Sequence, residues 1–168
     1  VARACWNGTY FQAGIDHFDQ FWIRDFAISL DGLVHVGLGD LARRTVEWAL
    51  AVYARAGRVT TTIFGHAHPV DVYSYASDSL PFLLYALDRL DLRQACAPHA
   101  PFLSRAAAEY RARIIDERTG RPRRDIVITA TKDTMAFRGT CFTTAMAAWC
   151  QDLLARRFPE LGSPLAGL

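Results

Sequence analysis

The stretch RDFAISLDGLVHVGL, Arg24 to Leu38, decides the fold class. Beyond its opening Arg-Asp pair only Asp31 and His35 carry ionisable groups, so it predicts a helix apolar nearly all round and buried on most sides. The next segment, Asp40 to Ala56, sets Leu41, Val46, Trp48, Ala49, Val52 and Tyr53 against Arg43, Arg44, Glu47 and Arg55. That spacing is amphipathic and predicts an outer-layer helix.

The same pairing recurs further along. SLPFLLYAL, Ser79 to Leu87, is a second uncharged helix, with Asp78 as N-cap and Pro81 tolerated in the first turn. From Pro101 to Arg118 an amphipathic helix follows; it buries Leu103, Ala106, Tyr110 and Ile114 and is stopped by Thr119-Gly120. A third uncharged run spans Gly139 to Cys150, with Phe142, Met146, Trp149 and Leu153 at helical spacing. An aspartate stands at or before each inner helix, Asp25, Asp78 and Asp133, at separations of 53 and 55 residues. A near-constant period of one buried and one solvated helix predicts an all-α array of stacked helical hairpins, a single domain over residues 1–168. In such an array the inner helices point the same way, and the three aspartates are expected to converge.

The composition suits one globular domain: 168 residues, 51% hydrophobic, 21% charged and 12% aromatic. No uncharged stretch approaches the roughly 20 apolar residues that cross a bilayer. The net charge of +2, from 19 basic against 17 acidic residues, is too balanced to imply a nucleic-acid partner. Cys5, Cys96, Cys141 and Cys150 lack C-x-x-C spacing and read as free core thiols. No secretory leader pattern is present, which leaves the compartment open with the cytoplasm favoured. The chain opens on Val1, so residues ahead of it are expected.

Between the helices, Val59 to Phe64 (VTTTIF) and Asp125 to Thr129 (DIVIT) are β-branched linker pieces, expected to pair as a hairpin over one end. Arg121-Pro122-Arg123-Arg124 is a small solvated basic loop. The run from Gly65 to Asp71 holds His66 and His68 in an H-x-H spacing. With His99 in another loop the ligand set of a metal site is incomplete, and a polar rim loop is the preferred reading. No Gly-rich phosphate loop occurs, so no cofactor is expected.

FDQFWIRDFAISLDGLV (Phe18 to Val34) resembles the aromatic-x-x-Arg-Asp segment that opens the first inner helix of the six-hairpin, (α/α)6-barrel glycosidases, of the glucoamylase-like and glycogen-debranching type. ASDSLPFLLYAL (Ala76 to Leu87) is similar to the aspartate-led start of their next inner helix, and Lys132 to Trp149 extends the likeness. The resemblance implies part of an (α/α)6 barrel of about two and a half hairpins, an N-terminal fragment whose closing half lies elsewhere. It implies cleavage of terminal sugars from oligo- or polysaccharides. Arg24 and Asp25 would hold adjacent hydroxyls, because a guanidinium fork donates where a carboxylate accepts. Trp22 would face the ring, and Tyr73, Tyr75 and Asp78 would line the site. Asp133, ahead of the third inner helix, would be the general acid, a role that needs a raised pKa and that a facing Lys132 would oppose.

Alternatives stand beside each role. Arg24 and Asp25 also suit a structural ion pair with Asp25 as cap, and Asp78 suits capping alone. No second carboxylate for activating water is evident, so the isolated chain is expected to be inactive. Similar barrels host sugar epimerases and polysaccharide lyases, for which His66, His68 or Tyr73 would move the proton. A non-catalytic helical scaffold or sugar-binding module, associating through the open barrel edge, is the third reading.

Overall fold

Short apolar strands and long apolar-faced helices alternate along the chain. The computed structural model describes residues 2–72, 74–129, 136–138 and 140–161. Strand β1 (Phe21–Trp22) runs straight into helix α1 (Ile23–His35), and α2 (Gly39–Ala56) returns from it. Strands β2 (Thr62–Phe64) and β3 (His68–Val70) lead to α3 (Ser79–Arg89), followed by the one-turn α4 (Arg93–Cys96) and by α5 (Ala100–Ile114). The hairpin of β4 (Ile115–Asp116) and β5 (Arg121–Pro122) and the pair β6 (Ile128–Thr129) and β7 (Ala136–Phe137) precede α6 (Cys141–Arg157).

Side-chain contacts give the helix directions. At the start of α1 Arg24 meets Asp78, the residue before α3, and one to two turns on Asp31 meets Tyr85 and Arg89 of α3. These two helices are therefore parallel. Phe82 and Tyr85 pack on Trp149 of α6, and Asp88 faces Arg157, so α6 runs parallel to both. The outer helices run the other way: Tyr110, late in α5, donates from its hydroxyl to the Ser77 carbonyl ahead of α3, at 2.7 Å. Similarly Thr60, beyond the end of α2, accepts from Tyr53, while the carbonyl of Thr61 receives the amide of Ile23 at the head of α1. Among the described residues the chain is mainly helical, with α1, α3 and α6 parallel to one another and α2 and α5 antiparallel to them. The core between them is built by Leu30, Leu50, Tyr53, Leu83, Leu84, Leu87 and Leu103.

Four expectations need correction. The segment Thr62–Phe64 does not pair with 125–129; it is the centre of a three-stranded antiparallel sheet, with Phe21 opposite Ile63 and Ile63 opposite Pro69. Three hydroxyls secure this sheet: Thr62 donates to the Phe21 carbonyl, Thr60 to the Thr62 carbonyl and Thr61 to the Val70 carbonyl. β6 pairs instead with β7. The helix expected to reach Arg118 ends at Ile114, because Ile115 turns extended and Gly120, at φ 65°, closes a hairpin that returns Arg123 to the Ile114 carbonyl. Nor is α1 buried nearly all round: Ile28 is 67% exposed, and Val36, just past its end, 60%. Finally, only Cys96 and Cys150 are core thiols, pushed up by burial to about 11 and about 12; Cys5 is half-buried and Cys141 exposed.

Candidate ligand-binding groove

Helix α1 turns adjacent residues to different neighbours, since successive side chains stand about 100° apart round the axis. Arg24 faces α3. Its Nε lies 2.7 Å from Asp78 Oδ2, with the Asp78 side chain only 1% and that of Arg24 15% exposed. Asp78 occupies the N-cap position of α3, yet its side chain makes no capping bond there. One carboxylate oxygen goes to Arg24 instead, so pure capping does not describe it. The flanking Ser77 and Ser79 are buried too, and their hydroxyls have no hydrogen-bond partner among the described residues.

Asp25 faces a different neighbour, the N-terminal segment. With Phe26, Ser29 and Leu33 it forms a stripe along α1 at helical spacing, and Trp22, the last residue of β1, extends it as one wall of a pocket of about 160 Å³. The other wall comes from the N-terminal segment, through Cys5, Phe11 and Gln12. That segment is bent by an Asn7 side chain accepting the amides of Thr9 and Tyr10, with Gly8 at φ 99°. It is fastened to α2 at three points. The Phe11 amide donates to Thr45 Oγ1, Tyr10 stacks on Trp48 at 4.2 Å, and Arg44 covers the Trp6 ring. The Gln12 amide nitrogen donates to the Asp19 carbonyl at 3.1 Å, which fixes the side chain at the pocket wall.

Tyr75 belongs to neither flank of α1. It lies under the guanidinium of Arg113, 4.9 Å from the ring centroid, and near Tyr110 of α5. Burial drives its hydroxyl pKa upward, reinforced by Glu109. Beside it Asp71, which follows β3, accepts the Thr61 amide; its pKa is raised by burial, against the opposing pull of Arg58 and Arg113. Asp133, Lys132 and Tyr73 lie outside the described residues. His66 and His68 stand on the exposed β2–β3 turn, where His66 and Ala67 both take left-handed backbone angles. Among the described residues no group of three metal-ligating side chains gathers, and no helix is long and apolar enough to cross a membrane.

The sequence-predicted set is thus divided. Trp22 and Asp25 share the groove; Arg24 and Asp78 share a buried ion pair across the α1–α3 seam; Tyr75 sits behind that seam against α5. The groove residues Gln12, Ser29 and Cys5 were missed. Ser29 was within reach, falling one turn after Asp25, whereas Gln12 and Cys5 arrive by a chain reversal that no periodicity announces. Compared with known proteins, the chain matches no family model, no curated protein and no solved structure.

Proposed function

We propose that this chain is a saccharide-binding part of a carbohydrate-active hydrolase built on the six-hairpin, (α/α)6 plan. The observation that carries the reading is the groove at the head of α1, where the indole of β1 and a carboxylate of the first helical turn share one wall with apolar side chains. Sugar rings suit such a surface, because their C–H faces pack on aromatics while their hydroxyls need acceptors. At about 160 Å³, the pocket is small beside the roughly 300–1,000 Å³ usual for larger ligands. It suits a single terminal ring rather than an internal stretch of polymer. Parallel inner helices alternating with antiparallel outer ones support the toroidal plan, in which further hairpins would pack beside α6.

In this reading Trp22 and Asp25 contact the ring. Arg24 is a positioning residue, locked to Asp78 so that the first turn of α1 keeps its place. Asp133 is the proton donor when the remaining hairpins supply a base for water. Calorimetric titration with a panel of neutral, amino and acidic hexoses tests the binding half. Saturable heat with at least one sugar, weakened about tenfold or more (about 1.4 kcal/mol) in Trp22→Ala, is expected. Absence of saturable heat with every sugar, or equal affinity in Trp22→Ala, overturns the proposal.

A further inference from the structure

We infer that the ligand this groove takes carries a protonated amine, an amino sugar being the member of that class that fits the saccharide reading. The choice of a sugar rests on the proposed function; the choice of charge rests on the groove itself.

Asp25 is exposed, and among the described residues no ion pair or hydrogen bond engages its carboxylate. None of the residues lining the groove is a cation. The adjacent Arg24 is turned to the far flank of α1 and held against Asp78. The other polar groups add acceptors: Gln12 spends a donor on the Asp19 carbonyl and keeps its amide oxygen, and Ser29 accepts or donates by rotation. The walls are aromatic, with Phe11, Trp22 and Phe26, whose ring faces attract cations.

Occupancy then decides the sign of the ligand charge. Any ring that fills so small a space strips water from Asp25. A neutral ring leaves that charge desolvated with hydroxyl donors alone, and an acidic ring sets a second negative charge beside it. A protonated amine restores the lost interaction through a charge-assisted hydrogen bond. The helix terminus points to the same conclusion. Asp25, in the first turn of α1, already satisfies the positive end of the helix dipole, so no attraction for a further anion is left over.

The test is competitive calorimetry on the chain as it stands, at a pH where the amine is protonated, with glucosamine, glucose, glucuronate and cyclohexylamine as probes. The alkylation rate of Cys5, which lines the groove, supplies a second readout, calibrated with Cys5→Ser. Glucosamine is expected to bind at least tenfold more tightly than glucose, to slow Cys5 alkylation, and to lose its advantage in Asp25→Asn. Equal or tighter binding of glucose or glucuronate overturns the inference and leaves the saccharide reading standing. Binding of cyclohexylamine that depends on Asp25, with no sugar bound, supports the amine site and overturns the saccharide reading. If none of the four probes binds, both fall.

Discussion

The two flanks of α1 treat charge in opposite ways. Towards α3, Arg24 and Asp78 neutralise each other in a seam from which solvent is nearly excluded. Towards the N-terminal segment, Asp25 keeps its carboxylate open over a half-apolar groove. The two side chains follow one another in sequence, yet one is built into a buried seam and the other lines an open pocket. A charged residue at a helix start acquires its role from the element that packs over it.

Removing the seam partner should break this contrast most strongly. Asp78→Ala leaves Arg24 buried without that counter-charge, and a loss of about 3–5 kcal/mol in urea unfolding is expected. Replacing both partners by apolar residues, Arg24→Met with Asp78→Leu, should recover most of it, since the pair is expensive mainly when half of it is missing. A smaller loss, about 1 kcal/mol, is expected for Thr62→Val, which keeps the shape but removes the buried hydroxyl bond to the Phe21 carbonyl.

Asp71 tests a third setting, a carboxyl half-enclosed behind the sheet. Burial raises its folded pKa above the ordinary 3.8, so the protonated form is the one that the fold favours. Its favourable contribution is present below that ordinary value and is lost as pH rises through the folded pKa. Asp71→Asn should therefore raise the melting temperature at neutral pH, with the gain shrinking as the solution is acidified towards pH 4. The groups facing it, Arg58 beyond α2 and Glu109 and Arg113 of α5, are retained in that comparison. On the exposed rim of the same α1–α3 seam, Asp31→Ala removes an ion pair to Arg89 that water already screens, and at most about 1 kcal/mol should follow. Asp25→Asn should be the mildest change of all for stability, within about 0.5 kcal/mol, because nothing packs on the carboxylate. A large loss there would erase the distinction between the flanks.

How much of this was legible follows from the range of each signal. The periodicity that places Leu30, Leu83 and Leu87 in the core is local, and α1, α2, α3, α5 and α6 were all readable from it to within a few residues at most ends. Strand pairing was not. Phe21 meets Ile63 across 42 residues, and β-branched runs state a preference for extension without naming a partner. The early end of α5 was hidden because Ile114 and Ile115 continue the helical apolar pattern while the backbone changes between them. For the site, Trp22, Arg24, Asp25 and Asp78 were read as one sugar-holding group, and they stand at or just before the starts of α1 and α3. Their division between a seam and a groove depends on helix rotation, which only the packed neighbours of α1 determine.

The β1–β2 pairing bears on that rotation. Trp22 is fixed opposite Thr62 immediately before α1 begins, and the Thr62 hydroxyl grips the preceding carbonyl. Helix α1 is thereby prevented from rolling about its own axis, as a key is once its shoulder sits in the lock. Arg24 and Asp25 cannot exchange sides without first tearing the β1–β2 ladder apart, so the polarity of the groove is set forty residues downstream, in the Thr60–Thr62 strip.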